Sequence, residues 1–268
     1  MVRSDRRKRR GPHDGRTTAR GRFRPARPGP DRDGDRPVTA IARAELLMLL
    51  RNRTVLASAV LLPIAFGAFF VFSGARNGSA AYASACIVVG LSAMGTYSVS
   101  TTTLAARRQT HFLKRLRSTV PSDVQILLGM TLPIVVVNLV QLAIVLIVLG
   151  ATTGDPLTHP WLLGLTVIAA EAMFIALAMA TAGVTGSPES AQYTCLPVFM
   201  GTIVVAVWAL MSDQPIAGWL PGGGIALLAE ASWTGDLGAT WLFLLPTFGW
   251  VALGGFVAKL VFRWDIRS

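Results

Sequence analysis

"VQILLGMTLPIVVVNLVQLAIVLIVLG", residues 124–150, runs for 27 residues without one charged side chain. At 1.5 Å per helical residue it is long enough to cross the ~30 Å hydrocarbon core of a bilayer. Five further apolar blocks accompany it, at about 54–73, 80–104, 160–185, 191–211 and 238–262. The chain is 52% hydrophobic and only 15% charged, against about 25% charged residues in soluble domains. Its mean hydropathy is +0.53. These observations predict an all-α integral membrane protein with six transmembrane helices over 54–262. The first block begins more than fifty residues into the sequence, so it does not read as a cleavable signal peptide.

What lies between the blocks orients them. "LAARRQTHFLKRLRSTVPSDVQ", residues 104–125, places Arg107, Arg108, Lys114, Arg115 and Arg117 on one inter-span loop. Arg51, Arg53, Lys259, Arg263 and Arg267 fall on the same side of a six-span arrangement. The opposite side carries Arg76 against Asp155, Asp213, Glu230 and Asp236. Lys/Arg excess marks cytoplasmic loops, so both termini and the island are expected in the cytoplasm. Trp219, Trp233 and Trp241 gather at the outer boundary, where aromatic belts form.

The formal net charge of +11 mostly describes a tail. Residues 1–36 contain 13 Lys/Arg and five Asp, with almost no aliphatic side chains. Such a segment cannot bury enough surface to fold. Residues 1–37 are expected to be a disordered basic tail, or an extension upstream of a true start near Val38; lipid or nucleic-acid binding by it is the sharper alternative. "VTAIARAELLMLLRNR", residues 38–53, reads as an amphipathic elbow helix at the cytoplasmic headgroups, with Glu45 along it and Arg51, Asn52 and Arg53 closing it. Residues 212–237 alternate short apolar pieces with Pro and Gly, which suggests re-entrant half-helices, or else a plain surface loop. Residues 263–268 form a cytoplasmic tail.

Enzyme signatures are absent. There is no G-x-x-x-x-G-K-[ST], H-E-x-x-H, C-x-x-C or G-x-S-x-G, and "PGGG" at 221–224 reads as a turn. Cys86 and Cys195 sit in separate apolar blocks, and His13, His111 and His159 are isolated. No cofactor or metal is expected on this chain. The polar groups inside spans are the candidates for chemistry: Glu171 deep in the fourth block, Asn138 and Gln141 with Thr131 on one face of the third, and the hydroxyl-rich "TYSVSTTT" from Thr96 onward. At 100° per residue Gly164, Ala178 and Ala182 fall on the Glu171 side, which turns Glu171 toward protein. An intramembrane carboxyl is a functional-site candidate by default. Two readings stay open, a polar substrate path or proton relay through Thr96, Asn138, Gln141 and Glu171, and plain interhelical hydrogen bonding.

Within the island, Phe112, Leu113 and Leu116 alternate with Lys114, Arg115 and Arg117 to make a short amphipathic helix. A loop that only retains charge needs no apolar stripe; a helix that docks on a cytosolic partner does. Here the residues resemble the permease subunits of ATP-binding-cassette type-2 exporters, particularly the small daunorubicin-resistance-like permeases. Their loop after the second span resembles R-x-x-G-T-L-K-R-L-R-x-T-P. Arg107, Leu113, Lys114, Arg115, Leu116, Arg117, Thr119 and Pro121 match it, and "FRWD" at 262–265 is similar to the family's close. His111 and Phe112 replace Gly-Thr, Val120 is inserted, and the acidic residue ahead of the loop is missing.

The resemblance covers about 38–268. It implies that residues 107–121 are a coupling helix, with Arg107, Arg108, His111, Phe112, Leu113, Lys114, Arg115, Leu116 and Arg117 seated on a separate cytosolic ATPase that binds ATP and Mg. It implies a second copy or a related permease as partner, membrane lipid around both, and efflux of an amphipathic or lipid-like substrate such as an antibiotic, drug or glycolipid. No specific nucleic-acid partner is expected. The alternatives are a proton-coupled or facilitative carrier using Glu171, and a membrane scaffold protein. Twenty-two Arg against three Lys, with abundant Ala and Gly, suggest a high-GC bacterium and hence a bacterial plasma membrane.

Overall fold

A computed structural model describes residues 53–77, 79–109, 123–212 and 214–261, with side chains described from Leu61 in the first helix and from Leu127 in the fourth. These residues all belong to one compact unit spanning 35–268. The elbow region 38–52, the island from 110 to 122 and the tails lie outside the described residues.

Among the described residues the structure is helical and contains no strand. In chain order it comprises α1 (Arg53–Asn77), α2 (Ala80–Leu91), a π-helical segment (Ser92–Ser98), α3 (Val99–Gln109), α4 (Asp123–Thr153), α5 (Pro160–Val184) and α6 (Pro188–Met211). Then come α7 (Pro215–Trp219), α8 (Gly223–Thr234), a 3-10 turn (Thr240–Phe243) and α9 (Leu244–Val261). α2, the π-segment and α3 run without a break. Five stretches are long and apolar enough to cross a membrane: Ala80–Arg108, Leu127–Thr153, Pro160–Val184, Pro188–Met211 and Thr240–Val261. α1 adds a shorter apolar stretch, Leu61–Arg76. This is a multi-pass membrane architecture.

Burial follows the logic of a protein solvated by hydrocarbon. Phe69, Phe72, Ile144, Ile147, Ile168 and Val204 point outward, while Ala, Gly and hydroxyl side chains fill the contacts between helices. Small residues let helix backbones approach closely, the main source of association where lipid is as apolar as the side chains. Gly254 of α9 lies so close to Ala176 of α5 that an added Cβ would sit 3.0 Å from it. Gly90 of α2 similarly accepts the Phe66 ring of α1. The Ala80–Arg108 helix is the centre of this arrangement, with 83% of its apolar window buried, against 22% for α6. Around it the core gathers Leu91, Tyr97, Leu142, Phe174 and Ala226.

The helices begin and end within about five residues of the apolar blocks, and two of the offsets show how. The second block continues as helix to Gln109 instead of ending near 104, because Arg107 and Arg108 still lie on α3. The fifth starts at Pro188, three residues early, because Ser187 and Ser190 form a capping box: the Ser187 side chain accepts from the Ser190 N–H at 3.1 Å and the reverse bond is 3.0 Å.

The irregular 212–237 stretch is where α7 and α8 form. α8 is apolar and buried through Ile225, Ala226, Leu228 and Ala229. The "PGGG" turn that enters it is dictated by space: Gly222 has φ +94°, and a Cβ there would lie 2.4 Å from the Thr202 carbonyl oxygen of α6. The end of α8 is tied to the α4–α5 turn, where the His159 N–H donates to the Ser232 carbonyl at 2.8 Å and the Thr158 hydroxyl to that of Trp233 at 2.8 Å. In the same turn, Asp155 accepts the Ala80 N–H at 3.0 Å and so caps α2.

Gly222→Ala combines a disfavoured φ with a backbone clash and should cost about 1–3 kcal/mol. Thermal unfolding of the detergent-solubilised chain should show a clear drop in midpoint. Gly249→Ala, with open space around its added Cβ, is the control and should leave the midpoint unchanged or higher.

Candidate functional site

Midway along α5 the Glu171 carboxyl group is 3% exposed. Three helical segments converge on it. The Ser92 hydroxyl donates to Oε1 at 2.8 Å and the Asn138 amide donates to the same oxygen at 2.7 Å. The Thr96 hydroxyl donates to Oε2. One carboxyl group thus joins the π-segment, α4 and α5. None of its hydrogen-bond partners among the described residues is cationic. Buried as they are, these polar groups would otherwise be left without hydrogen-bond partners, at a cost.

The π-segment is fitted to this contact. Ser92 and Thr96 both reach the carboxyl group from it, while Gly95 leaves room for Asn138: a Cβ at that position would lie 2.2 Å from Asn138 Oδ1. That Oδ1 is buried and has no hydrogen-bond partner, so it rests against the glycine instead. Ser98 donates its hydroxyl to the Ala93 carbonyl at 2.9 Å, five residues back, in keeping with the wider turn. Single π-turns inside long helices occur frequently at functional sites.

Among the residues of the expected substrate path, Thr96, Asn138 and Glu171 do come together, and Gln141 is buried one turn along α4 from Asn138. Thr131, on the same face, is buried with its hydroxyl bonded to Leu127 O at 3.0 Å. The polar face of α4 therefore turns inward. The assembly is closed, however, with all four path residues buried. It reads as a pin between helices that could hold a proton, rather than as the wall of an open route. On α5, Ala178 and Ala182 are fully buried as their helical phase requires, but Gly164 is exposed. It lines an apolar cleft where α4 and α5 separate, so helical phase alone misplaced it.

A second feature lies behind the π-segment. A cleft of about 670 Å³ runs between α1, the π-segment with α3, and α6. Met94, Leu62 and Phe199 line its apolar part; Ser98, Thr102 and Glu189 line its polar part. The hydroxyl-rich run thus divides, with Thr96 serving the pin and Ser98, Thr102 and Thr103 serving the cleft. Sequence reasoning registered the run but missed Ser92, Gly95 and Glu189. Ser92 and Gly95 carried no signal, whereas Glu189, next to Pro188 ahead of a span, carried a weak one.

At the end of α3 the two arginines behave differently from a simple basic loop. Arg108 is 5% exposed, and its guanidinium donates through Nη1 to the carbonyls of Ala182, Gly183 and Thr185, the last two at 3.2 Å. It caps the carboxyl end of α5, where the helix dipole favours a cation. The Arg108 head is therefore turned into the bundle. Arg107 is half-exposed beside it. His111, Phe112, Leu113, Lys114, Arg115, Leu116 and Arg117 lie outside the described residues, as do Glu45, Arg51 and Asn52 and the side chain of Arg53. Among the described residues no group of three or more His, Cys, Asp or Glu could hold a metal ion.

Glu171→Leu should lower stability by at least about 2 kcal/mol, since interhelical hydrogen bonds in membranes are worth roughly 0.6–2 kcal/mol each and three partners are orphaned. Glu171→Gln, which keeps the shape and one acceptor oxygen and whose NH2 meets a hydroxyl able to accept, should lose much less. In a Glu171→Leu/Asn138→Leu double-mutant cycle the two losses should be markedly non-additive; additive losses would show that the pin is not a unit. The chain matches no protein-family model and no curated protein.

Proposed function

We propose that the chain is the permease subunit of an ATP-driven exporter in a bacterial plasma membrane. In this reading α1 completes a set of six spans, both termini and the 107–121 island are cytoplasmic, and residues 212–237 re-enter the membrane from the outer side. The elbow at 38–53 lies along the inner headgroups. ATP and Mg bind on a separate cytosolic ATPase, and a second copy or a related permease completes the translocation unit.

The observation that carries the reading is where the island is attached. It leaves α3 at Gln109 and re-enters the bundle as α4 at Asp123. The Ala80–Arg108 helix is the most buried of the spans, and it and α4 both hydrogen-bond the same Glu171 carboxyl group. A push on the island would therefore move the two helices held by the pin, with Arg108 passing part of that load to the end of α5. A transporter requires an element with two arrangements that a nucleotide-driven partner can bias. The locally widened π-turn at the crossing supplies a place for helix register to shift.

A second reading, a proton-coupled carrier using Glu171, is favoured by one observation: an ionisable group sits at a three-helix crossing with no cation among its partners. The two readings differ in what Glu171→Gln does. A pin tolerates it at normal expression, whereas a proton carrier loses transport.

The docking prediction follows from interface energetics. Buried apolar anchors carry most of an interface's energy, and rim charges tune encounter rate and salt dependence. Phe112→Ala or Leu116→Ala should reduce co-purification of the cognate ATPase and uncouple transport while insertion stays normal. Lys114→Ala should do less, with an effect that shrinks as salt rises. Unchanged ATPase capture by both apolar variants would sink the exporter reading. Cysteine labelling should place residue 111 inside and residues 155 and 230 outside.

A further inference from the structure

We propose that the apolar groove between α1 and α4 is a fixed site for an anionic phospholipid, with an acyl chain in the groove and the phosphodiester on Arg76. It is a site for a resident lipid rather than for cargo, and it does not rest on the permease reading.

Two adjacent lines of small residues on α1 create the groove. Gly67 and Gly74 make the close contacts: added Cβ atoms would lie 2.9 Å from Val145 Cγ1 of α4 and 2.9 Å from Ala83 Cβ of α2. Ala68 and Ala75, each one position further on, are exposed instead. They line a groove of about 350 Å³ whose walls are Ile64, Phe72, Ile144 and Val148. The lining is aliphatic or aromatic throughout except at Thr152, whose hydroxyl gives its proton to Val148 O at 2.9 Å and Leu149 O at 3.1 Å. The groove therefore offers a polar ligand no free donor, and what it fits is hydrocarbon. From Ile64 to Ala75 it follows α1 for about 17 Å, close to the depth of one leaflet of a ~30 Å hydrocarbon core. An acyl chain has these dimensions.

Arg76 sets the class of lipid. It ends the apolar stretch of α1, one residue beyond Ala75. Its guanidinium carbon lies 5.2 Å from the centroid of the Phe72 ring that walls the groove, a cation–π contact that holds the charge at the groove's end. Among the described residues no carboxylate pairs with it. The other connections at this end carry Asp155, Asp213, Glu230 and Asp236 and neither Lys nor Arg. An anionic head meets its one cation there at the mouth of the groove. A phosphodiester supplies the negative charge that Arg76 lacks, whereas a zwitterionic head brings its own counter-charge. The bound chain would extend the contact of α1 with α4 beyond Gly67.

The full-length chain, purified in detergent and stripped of lipid, should retain dioleoylphosphatidylglycerol saturably by native mass spectrometry and gain thermal stability from it. Dioleoylphosphatidylcholine, with the same tails, should bind more weakly, and inorganic phosphate should give no stabilisation. Arg76→Gln should weaken phosphatidylglycerol binding about fivefold, the scale of one cation against anionic lipid, and should leave phosphatidylcholine unchanged. That effect should shrink as salt rises. Ala68→Phe, which fills the groove from an exposed position, should weaken both lipids together. Midpoints measured without lipid check that both variants fold. Equal affinity for the two lipids, unchanged phosphatidylglycerol binding in Arg76→Gln, or unchanged binding of both lipids in Ala68→Phe would overturn the proposal. Stabilisation by inorganic phosphate alone would reduce the site to an anion contact and overturn it as well. So would loss of a dimer in Ala68→Phe with lipid retention intact, which would put a second copy of the chain in the groove. None of these measurements involves an ATPase, so failure of the permease reading leaves the site standing.

Discussion

The Glu171 carboxyl group is the constraint around which the bundle is arranged. A carboxyl group in hydrocarbon is costly unless its oxygens are satisfied, and here satisfaction requires three separate segments at once. Ser92 and Thr96 must approach from one side and Asn138 from another. Any rotation of α4 that withdrew Asn138 would leave its amide unpaired and strip Oε1 of one of its two donors. Apolar packing between membrane helices is permissive, because a Leu is nearly as comfortable against lipid as against protein. A polar contact of this kind is not permissive, and it selects one register for three helices.

That selection reaches outward through the π-segment. Gly95 is there because Asn138 occupies the space of a Cβ, and the segment's opposite side, at Met94 and Ser98, forms a wall of the cleft. The pin and the cleft are therefore two sides of one irregular turn. A regular α-turn would offer neither the widened spacing nor the backbone carbonyl that Ser98 reaches. Arg108 extends the same arrangement to the end of α3, where it holds the last carbonyls of α5. The hydroxyl-rich helix is bonded to α5 at both its π-segment and its terminus.

Much of this was legible in the sequence because hydrophobic length and charge placement are strong signals. The apolar blocks became helices, the polar face of α4 turned inward, and Glu171 faced protein, as helical phase required. Gly164 shows where phase fails: α4 and α5 separate toward that end, so a residue on the inward side of a helix meets a cleft. The π-turn left no clear trace, since small and hydroxyl residues, Gly included, are common within membrane-spanning α-helices, and the contacts of Ser92, Gly95 and Thr96 with Asn138 and Glu171 are tertiary. Arg108 read as part of a basic loop because composition does not say which of two adjacent arginines points inward. The residues expected to form a substrate path are buried together; the hydroxyls a few positions later are the ones that meet open space.

The two ends of the described bundle are also built differently. Toward Thr102 and Glu189 the structure opens into the cleft between α1 and α6. Toward Asp155 it is closed by α8, which glycines seat against α6 and α7: added Cβ atoms at Gly222 and Gly223 would lie 2.4 Å from Thr202 O and 1.9 Å from Ala217 O. Beside these backbone contacts, Ile225, Leu228 and Trp233 anchor α8 with buried side chains. The polar ties at that end, from His159 N–H to Ser232 O and from the Thr158 hydroxyl to Trp233 O, are few and can be replaced by water. The Glu171 pin lies deeper, where replacement by water is costly. On the permease reading proposed above, opening the far end would require the buried side chains of α8 to leave the bundle, whereas the cleft end is already open in the conformation described.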